Sequence, residues 1–224
     1  MDFIFMLTQG DKTVANCLEI IDSIKDIGLQ HIGFKDVGVD FATLKTLTRR
    51  IKSSGAVAYV EVVSTTPDSI KASIAAAAAL GVDRVLGGQH VAFAMEQLKP
   101  VGASYYPFPG RPVGHPTQLG GEAEDIERDT AAALAAGCPG VDLLAYRAID
   151  ADPVALIKAA RRALGDHGYL IVAGSVDGRE RVEEAADAGA DAFTIGTAIF
   201  DGSFIPGVRT VRGQCEAVLR MLNP

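Results

Sequence analysis

One stretch near the end of the chain, positions 169–200, constrains the fold more than any other. It opens with an apolar run at residues 169–173 that has the length and composition of a buried β-strand. A turn of small residues follows, then a helical pattern closed by Gly189, and then a second apolar strand at Ala192–Ile195. The stretch therefore predicts two parallel strands joined by one helix, and each strand ends at a glycine beside a hydroxyl residue.

Those two strand ends predict a phosphate site. Glycine lets backbone N–H groups approach a ligand closely, and a helix start after such a turn attracts anions. The ends of strands 7 and 8 commonly form a phosphate site in an eight-stranded α/β barrel. We therefore interpret Gly174, Ser175, Gly196 and Thr197 as the residues that hold a phosphate group. The alternative is an ordinary βαβ unit whose glycines serve only tight turns.

Strand and helix patterns alternate along the rest of the chain. The other predicted strands lie at residues 3–7, 31–37, 57–63, 84–88, 103–108 and 141–146. Short connections between such units imply parallel strands and right-handed crossovers. A closed barrel and an open doubly wound sheet both satisfy this pattern, but eight units with terminal phosphate turns favour closure. We expect a single (β/α)₈ TIM barrel domain over residues 1–224, whose last helix begins near Val208.

The motifs AGSV at 173–176 and IGTAIF at 195–200, with AGADA at 188–192 between them, resemble the ribulose-phosphate-binding barrel superfamily. The resemblance implies a barrel that grips a phosphate at the ends of its last two strands. That superfamily includes phosphoribosyl isomerases, pentulose-phosphate epimerases, and sugar-phosphate decarboxylases and aldolases, so the resemblance leaves the reaction open. FMN-dependent barrels end in a similar way, which makes FMN the alternative ligand.

The sequence departs from three reaction-specific patterns of that superfamily. The decarboxylases use Asp-x-Lys-x-x-Asp, whereas Gly33 and Gly38 occupy the aspartate positions around Lys35. The metal-dependent epimerases use His-x-Asp on strand 2, which has no counterpart here, so we expect no catalytic metal. The histidine-pathway isomerases use aspartates at the ends of strands 1 and 5, where Thr8 and residues 107–108 stand instead.

Composition excludes several classes of protein. With 224 residues, 48% of them apolar, the chain is long enough for one sizeable core and short for two domains. Its net charge of −7 argues against a general nucleic-acid or anionic-membrane surface. Three widely spaced cysteines predict neither a disulfide framework nor a zinc site. Because the apolar run at residues 3–7 lacks a basic leader, we predict a strand there and a cytoplasmic protein.

Lys35 and Glu61 are the strongest catalytic candidates. A lysine in the second strand is costly unless it faces the polar mouth of the barrel or is paired, and Glu61 on the neighbouring strand is the natural partner. Lys35 can stabilise an enediolate oxygen or form a Schiff base, and Glu61 can move a proton. The alternative is a structural ion pair. Strand alternation places Asp36 on the opposite side from Lys35.

Four more residues lie at predicted strand ends or in the loops that follow. His90 follows Gly87 and Gly88, which could leave room for substrate, and it is either an acid–base group or a helix-capping residue. Arg111 and His115 belong to a Pro- and Gly-rich loop that is either a substrate lid or solvated surface. Arg147 either binds a second anionic group or pairs with Asp150. His31 and His167 precede strands and are predicted at the opposite, stability face.

The leading hypothesis is an enzyme that acts on a small phosphorylated sugar or keto compound. It would work by proton transfer or by aldol-type cleavage, without a cofactor, and analogy allows a homo-oligomer. An FMN-dependent oxidoreductase and a non-catalytic barrel that binds a phosphorylated ligand are the alternatives.

Overall fold

The computed structural model describes residues 1–64, 66–114 and 116–222. Eight parallel strands form its central sheet, as the alternation of patterns predicted. They are β1 (Asp2–Met6), β2 (His31–Lys35), β3 (Val57–Glu61), β4 (Arg84–Leu86), β5 (Ser104–Tyr106), β6 (Gly140–Leu143), β7 (Tyr169–Val172) and β8 (Ala192–Ile195).

The sheet curls into a barrel. Its hydrogen-bonded order is β6-β7-β8-β1-β2-β3-β4-β5, so the first and last strands of the chain are neighbours. The remaining gap between β5 and β6 is bridged where the backbone N–H of Asp142 donates to the carbonyl oxygen of Pro107, at 3.0 Å. The predicted closed TIM barrel is therefore confirmed, rather than the open doubly wound sheet.

Helices follow the strands, and their apolar sides join the outward-facing strand residues in one large core. The helices are α1 (Cys17–Ile24), α2 (Phe41–Ser53), α3 (Pro67–Leu80), α4 (Val91–Leu98), α5 (Ala123–Ala135), α6 (Pro153–Leu164), α7 (Arg179–Asp187), α8 (Thr197–Phe200) and α9 (Val211–Leu222). The single helix that we predicted after the last strand is two helices. The short α8 starts directly at the Gly196 turn, and α9 begins three residues after the predicted start.

A second, smaller apolar cluster fills the barrel itself. It consists of inward-facing strand residues, which alternate with the outward-facing ones as the pleat requires. These residues are Ile4, Met6, Tyr59, Leu86, Tyr106, Ile171 and Ala192.

The loops after β1 and β5 contain short antiparallel hairpins. After β1, Thr8–Gln9 pairs with Lys12–Thr13; after β5, Arg111–Val113 pairs with Gln118–Gly120. Left-handed Gly10 (φ 58°) lies in the first hairpin's turn. The pattern of apolar residues did not indicate strands of two or three residues.

Strand β4 ends two residues earlier than predicted. Gly87 and Gly88 have φ angles of 83° and 70°, which a strand does not accommodate. A side chain at Gly87 would meet the Phe108 ring and the carbonyl oxygen of Val62, each at 2.8 Å. Close packing, rather than room for substrate, therefore explains Gly87.

The amino-terminal end of the barrel holds a polar and aromatic cluster. The Arg84 guanidinium lies over three tyrosine rings and donates to the hydroxyl of Tyr59 at 2.7 Å. That hydroxyl also hydrogen-bonds Nδ1 of His31, at 2.9 Å. His31 thus lies at the stability face, as predicted. No helix in the described part of the chain is both long and apolar enough to cross a membrane.

Candidate functional site

A cavity of about 650 Å³ opens at the carboxyl ends of the strands. Both predicted glycine turns line it, and so do Lys35 and Glu61. Its position agrees with the general rule that ligands of TIM barrels bind at the end of the barrel where the strands terminate. The structure therefore brings the proposed phosphate-binding residues and the proposed catalytic pair into one space.

Lys35 and Glu61 face the barrel interior from adjacent positions on β2 and β3. The Nζ atom of Lys35 lies 3.2 Å from Oε1 of Glu61, and both side chains are buried. Asp36 points to the other side of the sheet, as predicted, where its carboxylate accepts from the N–H of Val63 at 3.2 Å. The lysine and the glutamate thus form the pair that strand alternation indicated.

Asp11 also pairs with Lys35, and the sequence did not single it out. Its Oδ1 lies 2.8 Å from Nζ of Lys35. Asp11 reaches the site from the first hairpin, whose Thr13 hydroxyl hydrogen-bonds both the N–H and the carbonyl of Lys35. The backbone of Asp11 is left-handed, with φ 60°. Such a conformation is uncommon outside glycine and is found at functional sites.

Arg147 completes the charged floor of the cavity. It lies in a short 3₁₀ helix after β6, and its guanidinium holds the Asp11 carboxylate through two bonds of 2.9 and 3.0 Å. The predicted alternative, a pair between Arg147 and Asp150, is wrong. Asp150 instead lies 3.4 Å from Arg111 and accepts from the N–H of Gly121. Asp150 is close to Arg147 in the sequence, but the hairpin after β1 brings Asp11 into contact with Arg147 instead.

Burial and pairing set the charge of these groups. Burial alone would raise the pKa of Asp11, but the hydrogen bonds from Arg147 and the charge of Lys35 outweigh it and lower that pKa. Burial alone would lower the pKa of Lys35, but the charges of Glu61 and Asp11 outweigh it and raise that pKa. Lys35 is therefore an ammonium group, and Asp11 a carboxylate, at neutral pH.

Asp142 is a second acidic residue that the sequence analysis missed. It belongs to β6, is 0% exposed, and neither carboxylate oxygen has a hydrogen-bond partner among the described residues. Burial raises its pKa well above the ordinary value, and the charge of Glu61 adds to this. A signal was present: an aspartate flanked by Val141 and Leu143 inside a strand is as unusual as the lysine that we did select.

The first glycine turn leaves backbone donors free. Gly174 and Ser175 both have positive φ angles, 75° and 57°. A side chain at Gly174 would meet Nε of Arg147 at 2.6 Å. No hydrogen bond within residues 1–64, 66–114 and 116–222 engages the N–H groups of Gly174, Ser175 and Val176. Three consecutive unpaired donors beside a cavity are suited to an anion.

The second glycine turn lies against the first hairpin. A side chain at Gly196 would collide with the hydroxyl of Thr8, although the φ angle of this glycine, −121°, is open to any residue. The N–H of Gly10 donates weakly to the hydroxyl of Thr197, at 3.4 Å. Gly196 is therefore required by the close approach of this turn to Thr8.

The structure does not bring the remaining candidates to the cavity. His90 precedes α4, makes no capping hydrogen bond with its side chain, and lies outside the cavity lining. Arg111 is 67% exposed and does not line the cavity either. His115 lies outside the described residues. Among the described residues, no group of three or more His, Cys, Asp or Glu side chains is placed to hold a metal ion.

Comparison with known proteins supports the architecture. No family model and no curated protein matches the chain. Orotidine 5'-phosphate decarboxylase from Pyrococcus horikoshii OT3 superposes with a TM-score of 0.68 at 14% identity, over 99% of each chain. A structure described as native KDPGal gives 0.67 at 13% identity, over 100% of this chain and 97% of the other.

A third similar structure is a cube-shaped porous cage designed by fusing symmetric oligomeric domains. It has a TM-score of 0.68 and 13% identity, over 100% of this chain and 74% of the other. Identities this low describe the fold alone. Together with the topology of the sheet, these structures support the TIM-barrel fold that the sequence predicted.

Proposed function

We propose that the protein is an enzyme that transfers a proton at a carbon next to the carbonyl group of a small phosphorylated sugar or keto compound. One observation supports this most directly. A single cavity contains unpaired backbone donors at one side and a buried ammonium–carboxylate pair on its floor. The first element suits a phosphate group, and the second suits the reacting end of the same molecule.

The phosphate group would bind at the two glycine turns. The N–H groups of Gly174, Ser175 and Val176 supply donors, and the turn at Gly196 and Thr197 supplies the other wall. Backbone donors fixed in a turn need no rearrangement to receive an anion. The overall charge of −7 does not oppose such binding because the donors are local.

The chemistry would fall to Lys35 and Glu61. The ammonium of Lys35 stabilises the negative charge that develops on the carbonyl oxygen when the adjacent C–H bond breaks. Glu61, 3.2 Å away, accepts that proton and returns it to the same or the neighbouring carbon. Asp11 keeps the lysine charged, and Arg147 holds the Asp11 carboxylate in place. An isomerase or an epimerase would use these steps.

Aldol-type cleavage is the second candidate reaction. KDPGal aldolase and orotidine 5'-phosphate decarboxylase share the fold, and both break carbon–carbon bonds. Cleavage through a Schiff base needs a neutral lysine, which the raised pKa of Lys35 opposes. Borohydride added with a keto substrate separates the two reactions, because it links substrate to protein only through a Schiff base.

The test is solvent hydrogen exchange with a panel of phosphorylated aldoses and ketoses in deuterium oxide. We expect deuterium to enter the carbon beside the carbonyl. Lys35→Met and Glu61→Gln should each abolish this exchange, whereas Lys158→Met, at an exposed position of α6, should leave it unchanged. Exchange that survives in both site variants would remove this pair from the mechanism.

We further propose that the reaction needs neither a metal nor FMN. Proton transfer at an activated C–H requires only a base and a cation, and both are present in the cavity. Purified protein should be colourless and should keep its exchange activity in a chelator. A yellow protein with stoichiometric flavin would favour the oxidoreductase alternative. Self-association remains a prediction, to be tested by light scattering.

A further inference from the structure

The carboxyl group of Asp142 has no role in the steps above. It projects into the barrel from β6, whereas its neighbours Val141 and Leu143 belong to the outer core. It is fully buried and, among the residues that the structure describes, no atom hydrogen-bonds either of its oxygens. Native proteins rarely leave a buried carboxylate unpaired, because the loss of hydration costs several kcal/mol. We therefore expect the carboxyl group in this position to be protonated.

The charged groups around Asp142 come from several elements. Among these charges, that of Glu61 on β3 acts most strongly on Asp142 and favours its protonated form, whereas those of Lys35 on β2 and Arg147 after β6 favour the ionised form. The carboxylate of Asp11, in the first hairpin, already forms ion pairs with both Lys35 and Arg147. Two cations are thus balanced by the two carboxylates of Asp11 and Glu61. An ionised Asp142 would add a third negative charge without a partner.

We propose that Asp142 is a neutral carboxylic acid inside the barrel and that its charge state is coupled through space to the charge of Glu61. Asp142 is protonated at neutral pH because it is fully buried and has no hydrogen-bond or ion-pair partner among the described residues, whereas the carboxylate of Glu61 has the ammonium group of Lys35. Asp142 acts through Glu61 and does not line the cavity, so it is a positioning residue.

This arrangement would keep Glu61 ready as a base, a consequence that rests on the proposed function. A neutral Asp142 places no further negative charge near the carboxylate of Glu61, which takes the substrate proton in the proposed reaction. When Glu61 becomes neutral, its repulsion of an ionised Asp142 disappears, so the acidity of Asp142 rises during the reaction. Glu61 then returns the proton to the substrate carbon, and Asp142 ends the cycle with the proton that it had at the start.

The first experiment observes the proton directly. The C=O stretching band of protonated aspartic acid is recorded by infrared spectroscopy in protein labelled with ¹³C at the aspartate carboxyl. Asp36→Asn serves as the background, because burial raises the pKa of Asp36 as well. At neutral pH we expect the band in this background and its loss when Asp142→Asn is added. Its persistence after Asp142→Asn, or its absence beforehand, would overturn the proposal.

The second experiment tests the coupling between Asp142 and Glu61. In Glu61→Gln, Asp142 no longer faces a negative charge, so the pH midpoint of its band should fall by about one pH unit or more. Glu183→Gln, at an exposed position of α7, should leave the midpoint unchanged. An unchanged midpoint in Glu61→Gln would show that Asp142 is an isolated structural acid. If Asp142→Asn fails to fold, the measurement on Glu61→Gln still tests the proposal, because that variant retains Asp142.

Neither experiment needs a substrate. If no substrate shows hydrogen exchange, the infrared experiments still decide whether Asp142 is protonated. If the infrared experiments contradict the proposal for Asp142, the exchange assay still tests the proposed function. If both hold, Asp142→Asn should also displace the pH profile of exchange relative to wild type. A purely structural role for Asp142 would not displace that profile.

Discussion

The guanidinium of Arg147 and the carboxylate of Asp11, 136 positions apart in the chain, meet in a two-bond ion pair at 2.9 and 3.0 Å. The pair ties the hairpin after β1 to the segment after β6 across the mouth of the barrel. Asp11 also holds Lys35 at 2.8 Å, so one carboxylate serves both cations. The charged floor of the cavity is therefore a connected unit rather than a set of separate pairs.

Removing the Asp11 carboxylate should destabilise the protein. Asp11→Ala leaves Arg147 and Lys35 with fewer partners in a buried setting, and breaking such a pair costs about 3 kcal/mol. Urea unfolding gives the change in the free energy of unfolding. Asp187→Ala, at an exposed position of α7, is the control and should change it by less than about 0.5 kcal/mol. Equal stability of both variants would contradict the role of Asp11.

Asp11 should also contribute to the acid limb of stability. Its pKa is lower in the folded protein than the ordinary 3.8, so folding favours its ionised form. That contribution is fully present above about pH 5 and is lost as the pH falls through the folded pKa. As the pH falls from about 5 toward the acid transition, the free energy of unfolding should therefore decrease less for Asp11→Asn than for wild type. Parallel urea titrations at several pH values measure this difference; identical slopes would count against it.

Gly196→Ala should weaken phosphate binding. The added methyl group would collide with the Thr8 hydroxyl and push the two cavity walls apart. We expect at least a tenfold loss in affinity for inorganic phosphate by calorimetry, which corresponds to about 1.4 kcal/mol. The matched control is Gly178→Ala, where φ is −165° and no atom lies within 4 Å. Undiminished phosphate binding in Gly196→Ala would place the anion elsewhere.

Ser175→Gly should retain phosphate binding. Glycine accepts the left-handed backbone of this position and keeps the N–H group, so only the hydroxyl is lost. We expect a change in phosphate affinity of less than threefold by the same calorimetric assay. A loss as large as that of Gly196→Ala would mean that the serine side chain, and not the backbone, binds the anion.

Arg84→Met should lower stability and leave the cavity intact. Arg84 stacks on Tyr59, Tyr106 and Tyr169 at the amino-terminal end, with ring distances of 5.0 to 5.6 Å. The lost cation–π contacts and the hydrogen bond to Tyr59 should together cost about 2 kcal/mol. Thermal unfolding and phosphate calorimetry on the same samples separate the two effects. Impaired phosphate binding would show that this end of the barrel communicates with the site.

The sequence by itself determined the eight strands of the barrel, the helices that follow the first seven, the glycine turns and the facing pair of Lys35 and Glu61. These features depend on local periodicity and on side-chain alternation within single strands, which short stretches of sequence record. Asp142 follows the same side-chain alternation, and its apolar neighbours in the sequence could have identified it as a buried acidic residue. Boundaries at Gly87 and Gly88 were missed because positive φ angles do not disturb the pattern of apolar residues.

Only the tertiary structure decided which charges meet. Asp11 joins Lys35 and Arg147 because a hairpin folds back over the barrel and Thr13 fixes it to the backbone of Lys35. Arg111 and His90, which follow strand ends in the sequence, do not line the cavity. Contacts between distant segments depend on how loops close in space, and neither composition nor spacing encodes that closure in a local pattern.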